Sequence, residues 1–470
     1  MGRLRLASWL AFGILWLGPL EAPAEPLSDR LGRALEAPSL RGAQIAALVV
    51  DEGGGVVFAR HPDRALIPAS NQKVLTALAA LHTLGPTHRF ETLLHATEPP
   101  NVRGEIGTLY VVGGGDPALT SEEMWRLAAD LRRAGVARIR GGLVLDDSRF
   151  DTQRWHPSWG KTGARAYHAP IGALTVNYGA FTVEVMAGGG SGEAVRVSVD
   201  PPVPYLALTN RARTGPQRSK MTLRVDRDRA GDAERVLVSG SVHAGRKSKA
   251  FYRSVLDPAR YAGAVLRLQL ESVGVRVEGE IRRGRIPEGT TQLVRFEGRP
   301  LSEVVSRFMK YSNNQIGETL VKGLGHHRTG EAGTWPNGLV ALREALGQLG
   351  LPLNGAVLRD GSGLSYENRV TPRLFVEALR AAEQNFRLGP EFRASLPIAA
   401  RDGTLADRAD GSEDRVRAKT GLLTRVTALS GYAERPDGTR VIFSVLVNGF
   451  RRGADAAMRG VDGFVAALVK

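Results

Sequence analysis

The sequence predicts a mixed α/β fold of the α+β kind, in which helices and hairpins from the two ends of the chain enclose a strand-rich insertion. Three observations predict it. A helical apolar pattern follows Ser70. Hairpin signals stand near both ends, over residues 44–59 and 426–448. From residue 92 to 295, short β-type runs alternate with Gly, Pro and charged turns. Glycine supports this reading: 56 of 470 residues exceeds the usual share of roughly 7% and favours turns and short strands.

Taken in order, residues 27–35 read as a short helix, and the apolar run 44–50, the turn Gly53-Gly54-Gly55 and the return 56–59 read as a hairpin. Ile67-Pro68-Ala69 then leads into a helix with Ser70 at its start. Val74, Leu75, Leu78 and Leu81 recur at helical spacing until Gly85-Pro86 stops it. Within 92–295 the runs 109–112, 143–145, 195–199 and 236–238 predict short strands in one or two inserted units. Helical patterns return at 301–311 and 339–349. Residues 426–433 and 441–448 flank Pro436-Asp437-Gly438 as a second hairpin, and an amphipathic helix occupies about 454–469. No repeat of fixed period runs through the chain.

Residues 1–24 carry Arg3 and Arg5, an apolar stretch over 6–20 and a small-x-small ending, Ala22-Pro23-Ala24. This is the pattern of a removable secretory signal peptide cut after Ala24. Gly13, Gly18 and Pro19 interrupt the stretch, which falls short of the roughly 20 apolar residues a membrane span needs, and no later run reaches that length. The expectation is an exported protein of the periplasm or extracytoplasmic envelope, without a transmembrane anchor. The absence of cysteine excludes disulfides, iron–sulfur clusters, thiolate zinc sites and a lipoprotein anchor. The formal charge is +15, and losing Arg3, Arg5 and Glu21 leaves +14. A basic surface attracts polyanions. The basic residues are scattered, with no aromatic-interleaved stripe, so no nucleic-acid partner is expected. Anionic envelope polymers or a peripheral membrane surface suit an exported basic protein better.

Ser70-Asn71-Gln72-Lys73 matches S-x-x-K. Residues three apart share a helix face, so Lys73 can stand beside the Ser70 hydroxyl, and burial would favour the neutral amine that activates a serine nucleophile. A serine at a helix N-terminus also places its N–H where oxyanion charge develops. Alone, the pattern is better read as a capping serine followed by a solvated lysine. Ser158-Trp159-Gly160-Lys161 repeats it, and Lys161-Thr162-Gly163 adds K-T-G, but Pro157 and Gly160 disfavour a helix start and a surface loop is expected there. Ser312-Asn313-Asn314 offers a hydroxyl for proton relay and an amide for substrate hydrogen bonding. Lys419-Thr420-Gly421, leading into the strand expected at Val426, offers a cation, a carboxylate-binding hydroxyl and a glycine that admits substrate closely.

The order S-x-x-K, S-x-N, K-T-G resembles the penicillin-binding-protein and serine β-lactamase superfamily. Pro68-Ala69-Ser70, Gly114-Gly115-Asp116-Pro117, Asp360-Gly361-Ser362-Gly363-Leu364-Ser365 and Asp402-Gly403-Thr404 narrow it. They resemble the penicillin-binding-protein-4 type of D-alanyl-D-alanine carboxypeptidase/endopeptidase. The 242-residue separation of Ser70 and Ser312 fits as well, because that family carries a large insertion between its first two motifs. The resemblance covers nearly the whole chain after the signal segment.

It implies a transpeptidase/β-lactamase-like lobe, an antiparallel sheet flanked by helices, from residues 25–91 and 296–470, with 92–295 as the inserted domain or domains. Ser70 would attack the carbonyl of the penultimate D-alanine while Lys73 takes its proton. Ser312 would pass a proton to the leaving amine, Asn314 would hold the substrate amide, and Lys419 with Thr420 would position the terminal carboxylate. Gly421 would admit the substrate, and the N–H groups of Ser70 and Leu422 would form the oxyanion hole before water releases the acyl-enzyme. Asp146 and Phe150, with Asp147 an equal candidate for the acid, resemble family residues near a diaminopimelate side chain. Leu422 stands where members often carry Ser or Thr after K-T-G, and Tyr366 where some carry Arg. The implied partners are peptidoglycan stem peptides, with β-lactam antibiotics as covalent inhibitors. No cofactor and no metal is implied, and none of the nine histidines stands in H-E-x-x-H or an i, i+4 pair. Two rivals remain open from the sequence: a β-lactamase or esterase on the same scaffold, and a basic peptidoglycan-binding protein without turnover.

Overall fold

Six successive buried residues, 45–50, give the strand Gln44–Asp51 no polar face, so it must be covered on both sides. The computed structural model describes residues 25–470, and the expected signal segment lies outside the described residues. Gln44–Asp51 sits inside a five-stranded antiparallel sheet. The order is Val416–Leu423, Val426–Glu434, Arg440–Asn448, Gln44–Asp51, Val56–Arg60. The two hairpins expected at opposite ends of the chain are thus joined edge to edge, with Leu48 opposite Ser444.

Alternation divides the sheet's side chains between two cores. Ile45, Ala47, Val49, Phe443 and Val445 face a core shared with Leu31 of the helix Leu27–Ala34 and Val461, Phe464 and Leu468 of the helix Ala454–Leu468. Ala46, Leu48, Val50, Ala428 and Leu446 face the other side. There they meet the helices Gln72–Leu84, Leu301–Lys310, Asn314–Thr329, Trp335–Gln348 and Pro372–Gln384. Residues 72–81 are all buried, as expected of a helix with apolar or small side chains on nearly every side.

A second five-stranded sheet, of mixed direction, runs Ile281–Arg283, Leu143–Asp146, Leu109–Gly113, Arg89–Ala96, Thr291–Pro300. Smaller separate sheets lie in the same region, and its core cluster is built on residues such as Leu94, Val111, Leu145, Val183, Val236 and Val265. The segments entering and leaving this region, Arg89–Ala96 and Thr291–Pro300, pair antiparallel, which brings the chain back beside its point of departure.

Some elements depart from the sequence reading. The strand-rich region also holds two helices, Ser121–Arg133 and Pro258–Ser272. Both begin on capping chemistry: the Glu123 carboxylate accepts from the Thr120 N–H (2.9 Å), and Asp257 accepts from the Arg260 N–H (3.1 Å). The helix expected at 339–349 begins earlier, at Trp335, where Thr334 and Asn337 form a capping box. Lys419-Thr420-Gly421 leads into the strand expected at Val426 but is itself in a strand. It lies within Val416–Leu423, and the chain turns at Thr424-Arg425 before the next strand. The charged Arg417 and Lys419 conceal that strand from any apolar alternation.

Candidate active site

Ser70 occupies a 3-10 turn, Ala69–Asn71, directly before the helix Gln72–Leu84, which puts Lys73 in the first helical turn. Lys73 is wholly buried, and its Nζ reaches Ser70 Oγ at 2.9 Å, Asn314 Oδ1 at 2.8 Å and the Ser362 carbonyl at 2.6 Å. Burial pushes its ammonium down to about 7, against the carboxylates of Asp360 and Glu318, which favour the charged form. As a neutral amine it has two N–H groups for the Asn314 and Ser362 oxygens and a lone pair left for the Ser70 hydroxyl.

Ser312 follows the helix Leu301–Lys310 with φ 56, a left-handed turn that ends one helix and starts the next. Asn313 caps that next helix by accepting the Ile316 N–H (3.1 Å), and Asn314 is its first residue. The Asn314 amide donates to the Tyr167 carbonyl (3.0 Å) and has a second N–H besides. Lys419 Nζ donates to Ser312 Oγ and to the Thr420 carbonyl, each at 3.0 Å. Burial, then the neighbouring Lys73 and Arg408, holds the Lys419 ammonium well below the usual lysine range.

Val416–Leu423 is an edge strand. Its Ala418 N–H points outward to the Pro397 carbonyl (2.9 Å), and strand alternation turns the N–H of Leu422 to the same open edge. Gly421 lets this edge lie against the Ser70 turn, since a Cβ there would stand 2.8 Å from the Pro68 carbonyl oxygen. Gly363, at φ +80, is equally constrained, with its hypothetical Cβ 1.9 Å from the Ala69 oxygen. The motifs distant in sequence therefore meet in one cleft, an open cavity of about 1150 Å³ lined by Ser70, Ser312, Asn314 and Leu422 among others.

The cavity includes residues that sequence reasoning missed: Tyr167 and His168 from the 92–295 region, and Arg425, Arg451 and Arg452 from the loops that follow the strands Val416–Leu423 and Arg440–Asn448. Trp159, Leu364 and Tyr366 line it too. Tyr366 stands beside Leu422 in this wall, its hydroxyl accepting the Thr424 N–H (3.0 Å). Thr404 Oγ1 lies 2.7 Å from Thr420 Oγ1, which pairs a second threonine hydroxyl with the K-T-G one. The second S-x-x-K copy forms no Ser–Lys pair: Lys161 is exposed, while Ser158 Oγ bonds Ser365 Oγ (2.7 Å) and the Trp159 indole donates to Asp360 (2.9 Å). The loop expected there is a 3-10 turn, Pro157–Trp159, that props the cavity wall.

Asp146 and Phe150 require a correction, because neither lines this cavity. Asp146 ends a strand, and its carboxylate is used by the N–H groups of Ser148 (3.0 Å) and Ile286 (2.8 Å). Phe150 is core, filling the space beside Gly115 and Gly333. Asp147, the alternative acid, is paired with Arg154 (2.6 Å) and Arg283.

Comparisons with known proteins agree with this geometry. The chain is 38% identical over 450 residues to a D-alanyl-D-alanine carboxypeptidase of Actinomadura sp. (strain R39), covering 92% of this chain and 83% of that one. It is 28% identical over 401 residues to D-alanyl-D-alanine carboxypeptidase DacB of Haemophilus influenzae, covering 83% and 81%. The crystal structure of penicillin binding protein 4 (dacB) from Haemophilus influenzae superposes with a TM-score of 0.80 at 25% identity, covering 93% of this chain and 98% of that one. Residues 27–468 match the sequence pattern of one family along almost their whole length, and the chain belongs to the D-Ala-D-Ala carboxypeptidase 3 (S13) family.

Proposed function

We propose that this protein is a serine D-Ala-D-Ala carboxypeptidase, with DD-endopeptidase activity as the second use of the same site, acting on peptidoglycan stem peptides in the extracytoplasmic envelope. The observation that carries the reading is the Lys73 amine held by Asn314 and Ser362 with Ser70 at 2.9 Å, facing the Lys419–Ser312 pair. The S13 relatives named as D-alanyl-D-alanine carboxypeptidases support the substrate class. Residues 25–91 and 296–470 serve as the catalytic lobe, and the insertion 92–295 supplies part of the cavity wall.

Lys73 takes the proton of the Ser70 hydroxyl as Oγ bonds to the carbonyl carbon of the penultimate D-alanine. The oxyanion is received by the Ser70 and Leu422 N–H groups. The scissile C–N bond then breaks, and its nitrogen takes a proton through Ser312. Asn314 holds the substrate amide with its second N–H, and Lys419, Thr420 and Thr404 receive the terminal carboxylate. Water attacks the ester, its proton returning through Lys73, and Ser70 is restored. A β-lactam ring opens at the same serine and leaves a covalent adduct.

Intact-mass spectrometry of the mature protein mixed with benzylpenicillin, beside Ser70→Ala, tests this reading together with D-alanine release from a stem pentapeptide. The expected result is one long-lived adduct and D-alanine release by the parent, with neither by the variant. Rapid hydrolysis of the drug without an adduct would make the protein a β-lactamase. Intact drug and intact peptide would leave a binder without turnover.

A further inference from the structure

Behind Lys73 lies a carboxylate that belongs to none of the three motifs. Glu318, in the helix Asn314–Thr329, is fully buried. Its oxygens accept from the Ser362 amide (2.7 Å), the Gly361 amide (3.1 Å) and the Trp335 indole (2.8 Å). The carbonyl of that same Ser362 accepts from Lys73 Nζ at 2.6 Å. The carbonyl of Gly361 in turn accepts from the Thr76 hydroxyl (2.8 Å), on the helix that carries Lys73. Two adjacent residues, Gly361 and Ser362, are thus held by Glu318 at their N–H groups and by the Lys73 helix at their C=O groups. Asp360, also buried, holds the rest of this loop by accepting the amides of Gly363 (2.8 Å) and Ser365 (2.7 Å). A buried carboxylate is costly unless well bonded. Glu318 spends its acceptor capacity on orienting a loop, without touching Ser70 or Lys73.

We propose that Glu318 is a positioning residue for the reaction: by gripping the Gly361 and Ser362 amides it aims the Ser362 carbonyl at Lys73 and so turns the amine's lone pair toward Ser70. The proposal rests on Lys73 as the acceptor of the Ser70 proton. An amine with two N–H groups fixed by Asn314 and Ser362 has one direction left for its lone pair. Releasing the Ser362 carbonyl frees it to rotate.

The charges around this relay set the expected pH effect. Glu318, Asp360 and Lys419 surround Lys73. Glu318 itself faces Lys73, Asp360 and Lys322, whose ammonium lies 3.9 Å from the Trp335 ring centre and pairs with Asp151. Arg154 lies near Lys322, and His156 packs edge-on against Trp335. A carboxylate beside Lys73 favours the charged ammonium, so removing it extends the neutral amine to lower pH.

Glu318→Gln keeps the shape but puts an amide N–H where an oxygen accepted; Glu318→Asp keeps the charge and draws it back by one methylene. The readout is the second-order rate of benzylpenicillin adduct formation, per titratable active molecule, from pH 5 to 9, with melting temperatures alongside. Expected for Glu318→Gln is a plateau about 10- to 100-fold slower and an acidic limb moved down by about half a pH unit or more. Glu318→Asp should recover part of the rate and keep the limb at the parental pH. A merely structural role predicts the opposite: a lowered melting temperature with parental rate and limb per active molecule, and that result overturns the proposal. If Glu318→Gln does not fold, a Glu318→Asp rate within twofold of the parent overturns it equally. A parent that forms no adduct at any pH overturns the Ser70–Lys73 reading beneath it.

Discussion

At Lys73 a single nitrogen meets three acceptors, and its protonation decides whether Ser70 is activated. As an ammonium it donates to Ser70, Asn314 and Ser362 together and has nothing to take a proton with. Burial lowers it to about 7, so the neutral form grows in as pH rises through that value. The acylation rate by benzylpenicillin is therefore expected to climb with pH, about tenfold per unit below pH 7, and to level above it. Lys73→Arg, whose guanidinium stays charged, should be slower by about a thousandfold at every pH. A flat parental profile between pH 5 and 9 would remove the base from Lys73. The motif residues were legible because each shows its chemistry within three or four letters: Ser70 and Lys73 share a helix face at i, i+3. Glu318 and Tyr167 were not legible. Their roles come from bonds across large sequence gaps, Glu318 to Ser362 and Tyr167 to Asn314, and no local pattern marks such partners.

At the scale of elements, the site is made of terminations. Ser70 stands where a 3-10 turn becomes a helix, Ser312 between two helices, and Lys419 on the outer edge of a sheet. Among these, the Asn314–Thr329 helix is open to a test by a single change, because Asn313 alone supplies its side-chain cap. Asn313→Ala should lower stability by about 1 kcal/mol. It should also slow acylation several-fold, since Asn314 in the first turn bonds Lys73 directly. Thermal denaturation and adduct rate together check this, and a variant destabilised but acylated at the parental rate would show that the cap does not position Asn314. This helix was missing from the sequence reading although Ile316, Leu320, Val321 and Leu324 are buried at helical spacing. Buried Glu318 and Lys322 break the apolar stripe, and Asn313-Asn314 reads equally as a loop. The two terminal hairpins were legible because their apolar runs are long and each is bounded by a turn, Gly53-Gly54-Gly55 and Pro436-Asp437-Gly438.

For the whole molecule, charge and topology bear on how a polymeric substrate is met. The 92–295 region is entered and left on paired strands, and it reaches the cleft with Trp159, Tyr167 and His168. Its strand-rich texture was legible, but its two helices and its share of the cavity wall were not. Those depend on which strands pair, a long-range property that residues 92–295 do not display locally. Loops at one end of the sheet add Arg425, Arg451 and Arg452 to the cavity, in a chain whose formal charge over residues 25–470 is +14. Attraction between a basic surface and an anionic wall polymer is long-ranged and screened by salt, with a Debye length of about 10 Å at 0.1 M and 3 Å at 1 M. Chemistry at Ser70 and the buried Lys73 is screened far less. Raising salt from 0.05 to 0.5 M should therefore weaken binding to isolated wall sacculi about tenfold or more, while D-alanine release from a small soluble stem pentapeptide changes less than about twofold. Co-sedimentation and D-alanine release, run in parallel on one preparation, give both numbers. Equal losses in the two assays would locate the salt effect in the active site and leave the basic surface without a part in finding the wall.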